Sequence, residues 1–232
     1  MKTINNCAVI LASGTGKRSG LKIPKQFAVV DGRTVLERSI DAFESHPEIN
    51  EIILVSAPKY LEKCKKIILK NKYKKVAKII PGGQTRQQSA YAGISAAGNA
   101  ENVLIHDAAR PFVTERIITG CINALKKYKA AGTAVPSADT IIKVNKNMTV
   151  DSVLERGSLM RCQTPQAFKL KTIKKAHEFA LKKNLAAATD DCGLVLHFKL
   201  APVYVVPGDE KNIKITYPAD ILAAQNICRI KK

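Results

Sequence analysis

A glycine-rich basic stretch, Leu11-Ala12-Ser13-Gly14-Thr15-Gly16-Lys17-Arg18, lies directly behind the apolar run Cys7–Leu11 and is followed by Pro24-Lys25-Gln26. A strand that empties into such a loop is suited to holding polyphosphate. Glycines let backbone N–H groups converge on phosphate oxygens, and cations such as Arg18 and Lys25 neutralise the remaining charge. Two better-known phosphate loops are excluded. Gly16-Lys17 is followed by Arg18 instead of Ser or Thr, with no Gly at the upstream Walker position, and Ser19 stands where a dinucleotide fingerprint needs its third Gly. A solvated glycine turn with neighbouring lysines accounts for the same residues.

A second chemical feature is His106-Asp107-Ala108-Ala109-Arg110-Pro111. A carboxylate at a strand end beside bound phosphates is suited to Mg²⁺, which takes carboxylates, waters and phosphate oxygens. Asp107 is therefore the first metal candidate; pairing with Arg110 at a tight turn is its other reading. Asp209, in Pro207-Gly208-Asp209-Glu210, is a second candidate. His106 sits in an apolar run and reads as a structural histidine, while His46, His177 and His197 show no metal spacing. Gly82-Gly83 reads as a turn leading into a helix.

The elements that must position these residues alternate. Apolar runs predict strands at 7–11, 51–55, 76–80, 102–106 and 132–136, and helices near 34–44, 59–69, 86–97, 115–128, 171–182 and 218–227. Such alternation predicts an α/β fold with a parallel sheet covered on both faces. Ligands then bind beyond the carboxyl ends of strands, where the glycine loop, Gly82-Gly83 and Asp107 all fall. The pattern breaks at about 138–160. There Thr140–Val144 and Val150–Leu154 flank Asn145-Lys146-Asn147 and predict a β-hairpin, which needs a surface to cover its apolar face. Gln163-Thr164-Pro165-Gln166 reads as a rigid turn, because Pro165 restricts Thr164 to extended backbone.

Composition narrows the class. The chain has 232 residues, 46% of them apolar, with no Trp and no apolar run long enough to span a membrane. The polar start Met1–Asn6 is unlike a signal peptide. Six scattered cysteines without a Cys-x-x-Cys pair fit a reduced compartment, so a cytoplasmic location is expected. The net charge of +19 raises nucleic acid as a partner, yet much of it lies in Lys59–Lys78 with little aromatic interleaving and reads as a solvated face. Neither nucleic acid nor membrane is an expected partner. The excess charge helps draw an anionic substrate.

The motifs act together. Besides the glycine loop and the Asp107 segment, the chain carries Pro81-Gly82-Gly83-Gln84-Thr85-Arg86-Gln87-Gln88-Ser89, Asp139-Thr140-Ile141-Ile142-Lys143, Gln163-Thr164-Pro165-Gln166-Ala167-Phe168 and Asn212-Ile213-Lys214-Ile215-Thr216. In this order and spacing, from about residue 7 to about residue 227, the set resembles the 2-C-methyl-D-erythritol 4-phosphate cytidylyltransferase family. The resemblance implies a Rossmann-like, three-layer nucleotidyltransferase fold spanning 1–232 as a single domain, with a mostly parallel sheet. It also implies a protruding β-hairpin arm at about 138–160 that crosses to a second subunit in a homodimer.

The implied reaction joins CTP and a polyol phosphate to give a CDP-polyol and pyrophosphate, with Mg²⁺ or another divalent cation as cofactor. By resemblance Arg18 and Lys25 stabilise the pentavalent transition state, and Ala12, Ser13, Gly14, Thr15 and Gly16 contact the triphosphate and ribose. Gly83, Gln84 and Ser89 surround the pyrimidine and ribose; Arg86 contributes charge nearby or caps the following helix. Lys214 positions the attacking phosphate together with Arg156, which with Thr140 is expected to reach the neighbouring subunit's site. Asp107, Arg110, Thr189 and Asp190 complete the acceptor's surroundings. Pentitol-phosphate (ribitol 5-phosphate) cytidylyltransferases share most of these motifs. The chain also carries Asp191-Cys192 where the erythritol enzymes usually continue Glu-Ala, so ribitol 5-phosphate stays open as acceptor. A nucleic-acid-binding protein on this fold is the remote alternative.

Overall fold

A computed structural model of the chain describes residues 5–14, 23–183, 185 and 190–230. Its centre is a seven-stranded sheet ordered β11-β7-β10-β6-β1-β4-β5. The strands are β1 (Asn6–Ala12), β4 (Glu51–Ser56), β5 (Val76–Pro81), β6 (Asn102–Asp107), β7 (Ala130–Pro136), β10 (Met160–Lys169) and β11 (Val203–Pro207). All are parallel except β10, which runs antiparallel to both β6 and β7. The short pair β2 (Val29–Val30) and β3 (Arg33–Thr34) and the hairpin β8 (Ile142–Val144) and β9 (Val150–Val153) lie outside this sheet.

The three layers follow from the period-two alternation of β1. Ala8, Ile10 and Ala12 face a core built with α1 (Val35–Glu44), α2 (Leu61–Asn71) and α4 (Glu115–Ala124). Cys7, Val9 and Leu11 face the opposite core, built with α3 (Arg86–Ala96), α5 (Leu170–Lys182) and α6 (Asp191–His197). Because both sides of β1 are covered, every residue of it is buried. A third cluster joins β2, Phe112 and Ile215 to α7 (Pro218–Ile230).

Five expected strands and six expected helices stand where the sequence placed them, within a few residues. Three elements of the main fold do not follow from the pattern. Gln163–Gln166, expected as a turn, form the middle of β10, where the register shifts between Cys162 and Gln166 and the Thr164–Pro165 peptide is cis. Proline removes one ladder donor, so a strand can carry it only at such an irregularity. The Pro165 carbonyl there accepts from the Thr133 hydroxyl at 2.7 Å. β11 and α6 are short and carry no clear period.

The hairpin is as expected. Ile142 pairs with Val153 and Val144 with Val150, which sets four apolar side chains on one face. All four are exposed.

Candidate active site

The ends of β1, β5 and β6 open into a cleft of about 440 Å³. Its lining includes Ala12, Ser13, Gly14, Lys25, Gly83, Gln84, Arg86, Asp107 and Lys214. The structure thus gathers Lys25, Asp107 and Lys214 from three distant motifs. Thr15, Gly16 and Arg18 of the glycine loop, and Thr189 of the acceptor group, lie outside the described residues.

The described part of the loop is held from two sides. The buried Gln26 side chain donates through Nε2 to the carbonyls of Ala12 at 2.8 Å and Gly14 at 3.2 Å. Ser13 Oγ donates to Ser89 Oγ at 2.8 Å, and that hydroxyl donates in turn to the Thr85 carbonyl. Ser89 therefore acts by fixing Ser13 and does not itself line the cleft. Gly82 is required by this close approach, since a Cβ there would stand 2.5 Å from the Ser13 Cβ.

Thr85 caps α3 with Gln88 in a reciprocal box, and Gln88 Oε1 also accepts the N–H of Gln84 at 2.8 Å. The cap that starts the helix thereby shapes the Gly83-Gln84 edge of the cleft. It leaves Arg86 free of any capping role.

Arg86 is instead the centre of an ion cluster. Its Nε donates to Asp107 Oδ1 at 3.2 Å and its Nη1 to Asp191 Oδ2 at 2.8 Å. Lys214 Nζ donates to Asp107 Oδ2 at 2.6 Å. Burial by itself raises the Asp107 carboxyl, but the Arg86 guanidinium and Lys214 ammonium outweigh it and hold the group well below the usual carboxylate range. Burial likewise lowers Arg86, and its two carboxylates more than reverse that. Asp107 is therefore anionic, with cations on both of its oxygens.

Arg110 does not pair with Asp107. Its guanidinium donates to the carbonyls of Asn212 at 2.8 Å and Cys162 at 3.1 Å, tying β10 to the segment that carries Lys214. It is absent from the cleft lining. His106 is fully buried, with Nδ1 on the Thr164 hydroxyl and Nε2 on the Arg110 carbonyl, as a structural histidine should be. Burial pushes its pKa down to about 4, so it is neutral.

Several expected site residues are not among those that line the cleft. Asp190 is the N-cap of α6, spending Oδ1 on the Gly193 N–H and Oδ2 on Gln166 Nε2. Asp209 lies outside the cleft lining; its carboxylate accepts the Lys211 N–H at 2.8 Å. Thr140 and Arg156 are exposed on the arm and do not line their own chain's cleft.

Gln26, Thr164 and Asp191 are contributors that the sequence reading passes over. Thr164 accepts the Asp107 N–H at 3.1 Å, which is visible only once β10 is known to lie beside β6. Asp191 and Cys192 are buried, so neither can touch an acceptor directly.

No group of three or more metal-ligating side chains occurs among the described residues. Asp107 already carries a protein cation on each oxygen, but each oxygen keeps a further lone pair, and Mg²⁺ commonly binds one or two carboxylates and completes its shell with phosphate oxygens and water. Among the described residues, no helix is long and apolar enough to cross a membrane.

Comparison with known proteins bears on the whole chain. The profile of the 2-C-methyl-D-erythritol 4-phosphate cytidylyltransferase family matches residues 6–230. A protein of that name from Thermobifida fusca is 40% identical over 230 residues, covering 96% of this chain and 92% of its own. The bifunctional ribulose 5-phosphate reductase/CDP-ribitol pyrophosphorylase Bcs1 of Haemophilus influenzae is also 40% identical, across 98% of this chain and 49% of its own length. The crystal structure of 4-diphosphocytidyl-2C-methyl-D-erythritol synthase from Anaerococcus prevotii has a TM-score of 0.87 at 36% identity, covering 98% of this chain and 100% of that one. Likeness of this extent, in sequence and in fold alike, means that the chain belongs to the 2-C-methyl-D-erythritol 4-phosphate cytidylyltransferase family.

Proposed function

We propose that this protein transfers CMP from CTP to 2-C-methyl-D-erythritol 4-phosphate, giving 4-diphosphocytidyl-2-C-methyl-D-erythritol and pyrophosphate. The observation that carries the reading is one cleft, at the carboxyl ends of three strands, lined at once by Ala12-Ser13-Gly14, Gly83-Gln84 and the Lys25, Asp107 and Lys214 charges. Family membership supplies the substrate class.

In the reaction an oxygen of the acceptor phosphate attacks the α-phosphorus of CTP, and the bond to the bridging oxygen of the β-phosphate breaks. The attacking oxygen is already ionised at neutral pH, so no side chain need remove a proton. What the protein must supply is positioning and positive charge. Lys25 and Arg18 are assigned to the charge that builds on the α-phosphate and the departing pyrophosphate, and Lys214 to the acceptor phosphate. Lys214 is held ready on Asp107, which fixes a flexible side chain before substrate arrives. Asp107 is also the residue that would hold a divalent cation. Such a cation, when bound with the triphosphate, neutralises part of its charge.

The apolar face of the arm supports a homodimer. Ile142, Val144, Val150 and Val153 are all exposed on a two-stranded hairpin, a unit too small to be stable without cover. In that dimer Arg156 and Thr140 serve the partner's cleft. We further assign the protein to the cytoplasm, with its six cysteines unpaired.

Pyrophosphate release with CTP and Mg²⁺, measured in parallel on methylerythritol 4-phosphate and ribitol 5-phosphate, tests the assignment. Turnover of the first alone is expected. Turnover of ribitol 5-phosphate alone would move the protein to the chemistry named for the Haemophilus relative. No turnover of either, with retention on DNA, would favour a binding module on this fold.

A further inference from the structure

Behind the cleft the ion cluster continues inward. Asp191, the first residue of α6, accepts Arg86 Nη1 on Oδ2 and meets His177 Nε2 on Oδ1 at 3.0 Å. Asp191 and His177 are each 1% exposed, so neither can reach substrate. The backbone N–H groups of Asp191 and Cys192 both donate to Gln166 Oε1, which fixes where α6 starts. His177 is in turn stacked on Tyr91, with ring centroids 5.7 Å apart. Charges therefore alternate from the interior to the cleft: Asp191, Arg86, Asp107, Lys214.

We propose that Asp191, oriented by His177, is a positioning residue that aims Arg86 and through it sets the Asp107–Lys214 pair in the cleft. The guanidinium is planar and offers two usable edges. With Nη1 anchored on Asp191, it meets Asp107 through Nε alone, on Oδ1. Oδ2 is thereby left for Lys214. Without the Asp191 charge, Arg86 can turn its fork onto Asp107 and take both oxygens, displacing Lys214. His177 on α5 supplies the Asp191 carboxylate with a second partner, on the oxygen that Arg86 leaves open.

The inference rests on the cytidylyltransferase reading for its kinetic readout. Inactivity of the unaltered protein would fail that reading, whereas the variants below fail or support the inference against an active parent. Asp191→Asn is expected to lower kcat about 10- to 100-fold while KM for CTP stays within about threefold, the pattern of a misplaced reacting group. Melting measured alongside is expected to show a fully folded population at the assay temperature. His177→Gln, which can still donate to Asp191, is expected to retain most of kcat. In an Arg86→Gln background, Asp191→Asn is expected to cost nothing further, because the effect travels through Arg86. Should Asp191→Asn fail to fold, Asp191→Glu enters the same cycle, again with no added loss in the Arg86→Gln background. Unchanged kcat, a loss matched by the unfolded fraction, or additive losses in the cycle would each overturn the proposal.

Discussion

The cleft floor and the β8–β9 arm are built on opposite principles. In the floor, each charged group already has its partner inside the same chain: Asp107 holds Lys214 and Arg86, and Arg86 holds Asp191. In the arm, the charged face is paired, with Lys143 on Asp151, while Ile142, Val144, Val150 and Val153 of the apolar face are exposed. Buried ions without partners are costly, so a site that uses them has to complete them within the fold. Exposed valines and isoleucines cost less, and can wait for a second subunit. The floor is thus organised before substrate arrives, whereas the arm leaves its cover to the second subunit proposed above.

Removing a charge from the floor should have the largest effect. Lys214→Ala is expected to reduce kcat about 100- to 1,000-fold, the cost of losing a charge-stabilising donor at a transition state, as read by pyrophosphate release. Breaking the arm should act through assembly. Ile142→Asp combined with Val153→Asp is expected to yield monomers in sedimentation with an unchanged melting temperature for the body of the fold. Mixed Arg156→Ala and Lys25→Ala subunits are then expected to recover about a quarter of the parent activity, because half the random dimers carry one intact site of two. No recovery would count against shared sites.

A smaller effect is expected where the floor meets its loop. Gln26→Ala strips the carbonyls of Ala12 and Gly14 of their donor, and should destabilise by about 1–3 kcal/mol in denaturant melts. The smallest lies far from both regions, at His46. Its Nδ1 accepts the Glu48 N–H and its Nε2 meets Thr119, an arrangement that needs the neutral ring. Burial lowers its pKa, so its contribution is complete above the unfolded value of about 6.5 and is lost as pH falls through the lower folded value. His46→Asn is expected to flatten that part of a melting-temperature profile against pH.

Much of the fold was legible because its strands are continuous apolar runs and its helices keep a clear period. The parallel sheet, the convergence at strand ends and the hairpin all followed from that. β10 was not legible, since Gln163–Gln166 is polar, contains a proline and resembles a turn by every local criterion. The candidate site was legible as a set of motifs but not as a set of contacts. Arg86 and Asp191 lie 105 residues apart, and neither type nor spacing says that they meet. Arg110 and Asp190, plausible polar contacts for an acceptor, are occupied in holding backbone and helix in place.

By itself the sequence determined the layer order, the family and the identity of the groups that carry charge, because periodicity and residue type are local properties. The tertiary structure alone decided which of those charges face the cleft and which only hold others there. That division depends on which strand lies beside β6, and on an ion pair whose partners meet only after α3 and α6 have packed on the same face of the sheet. A carboxylate's role is set by the cations within a few ångströms of it, and only the folded chain brings those cations near.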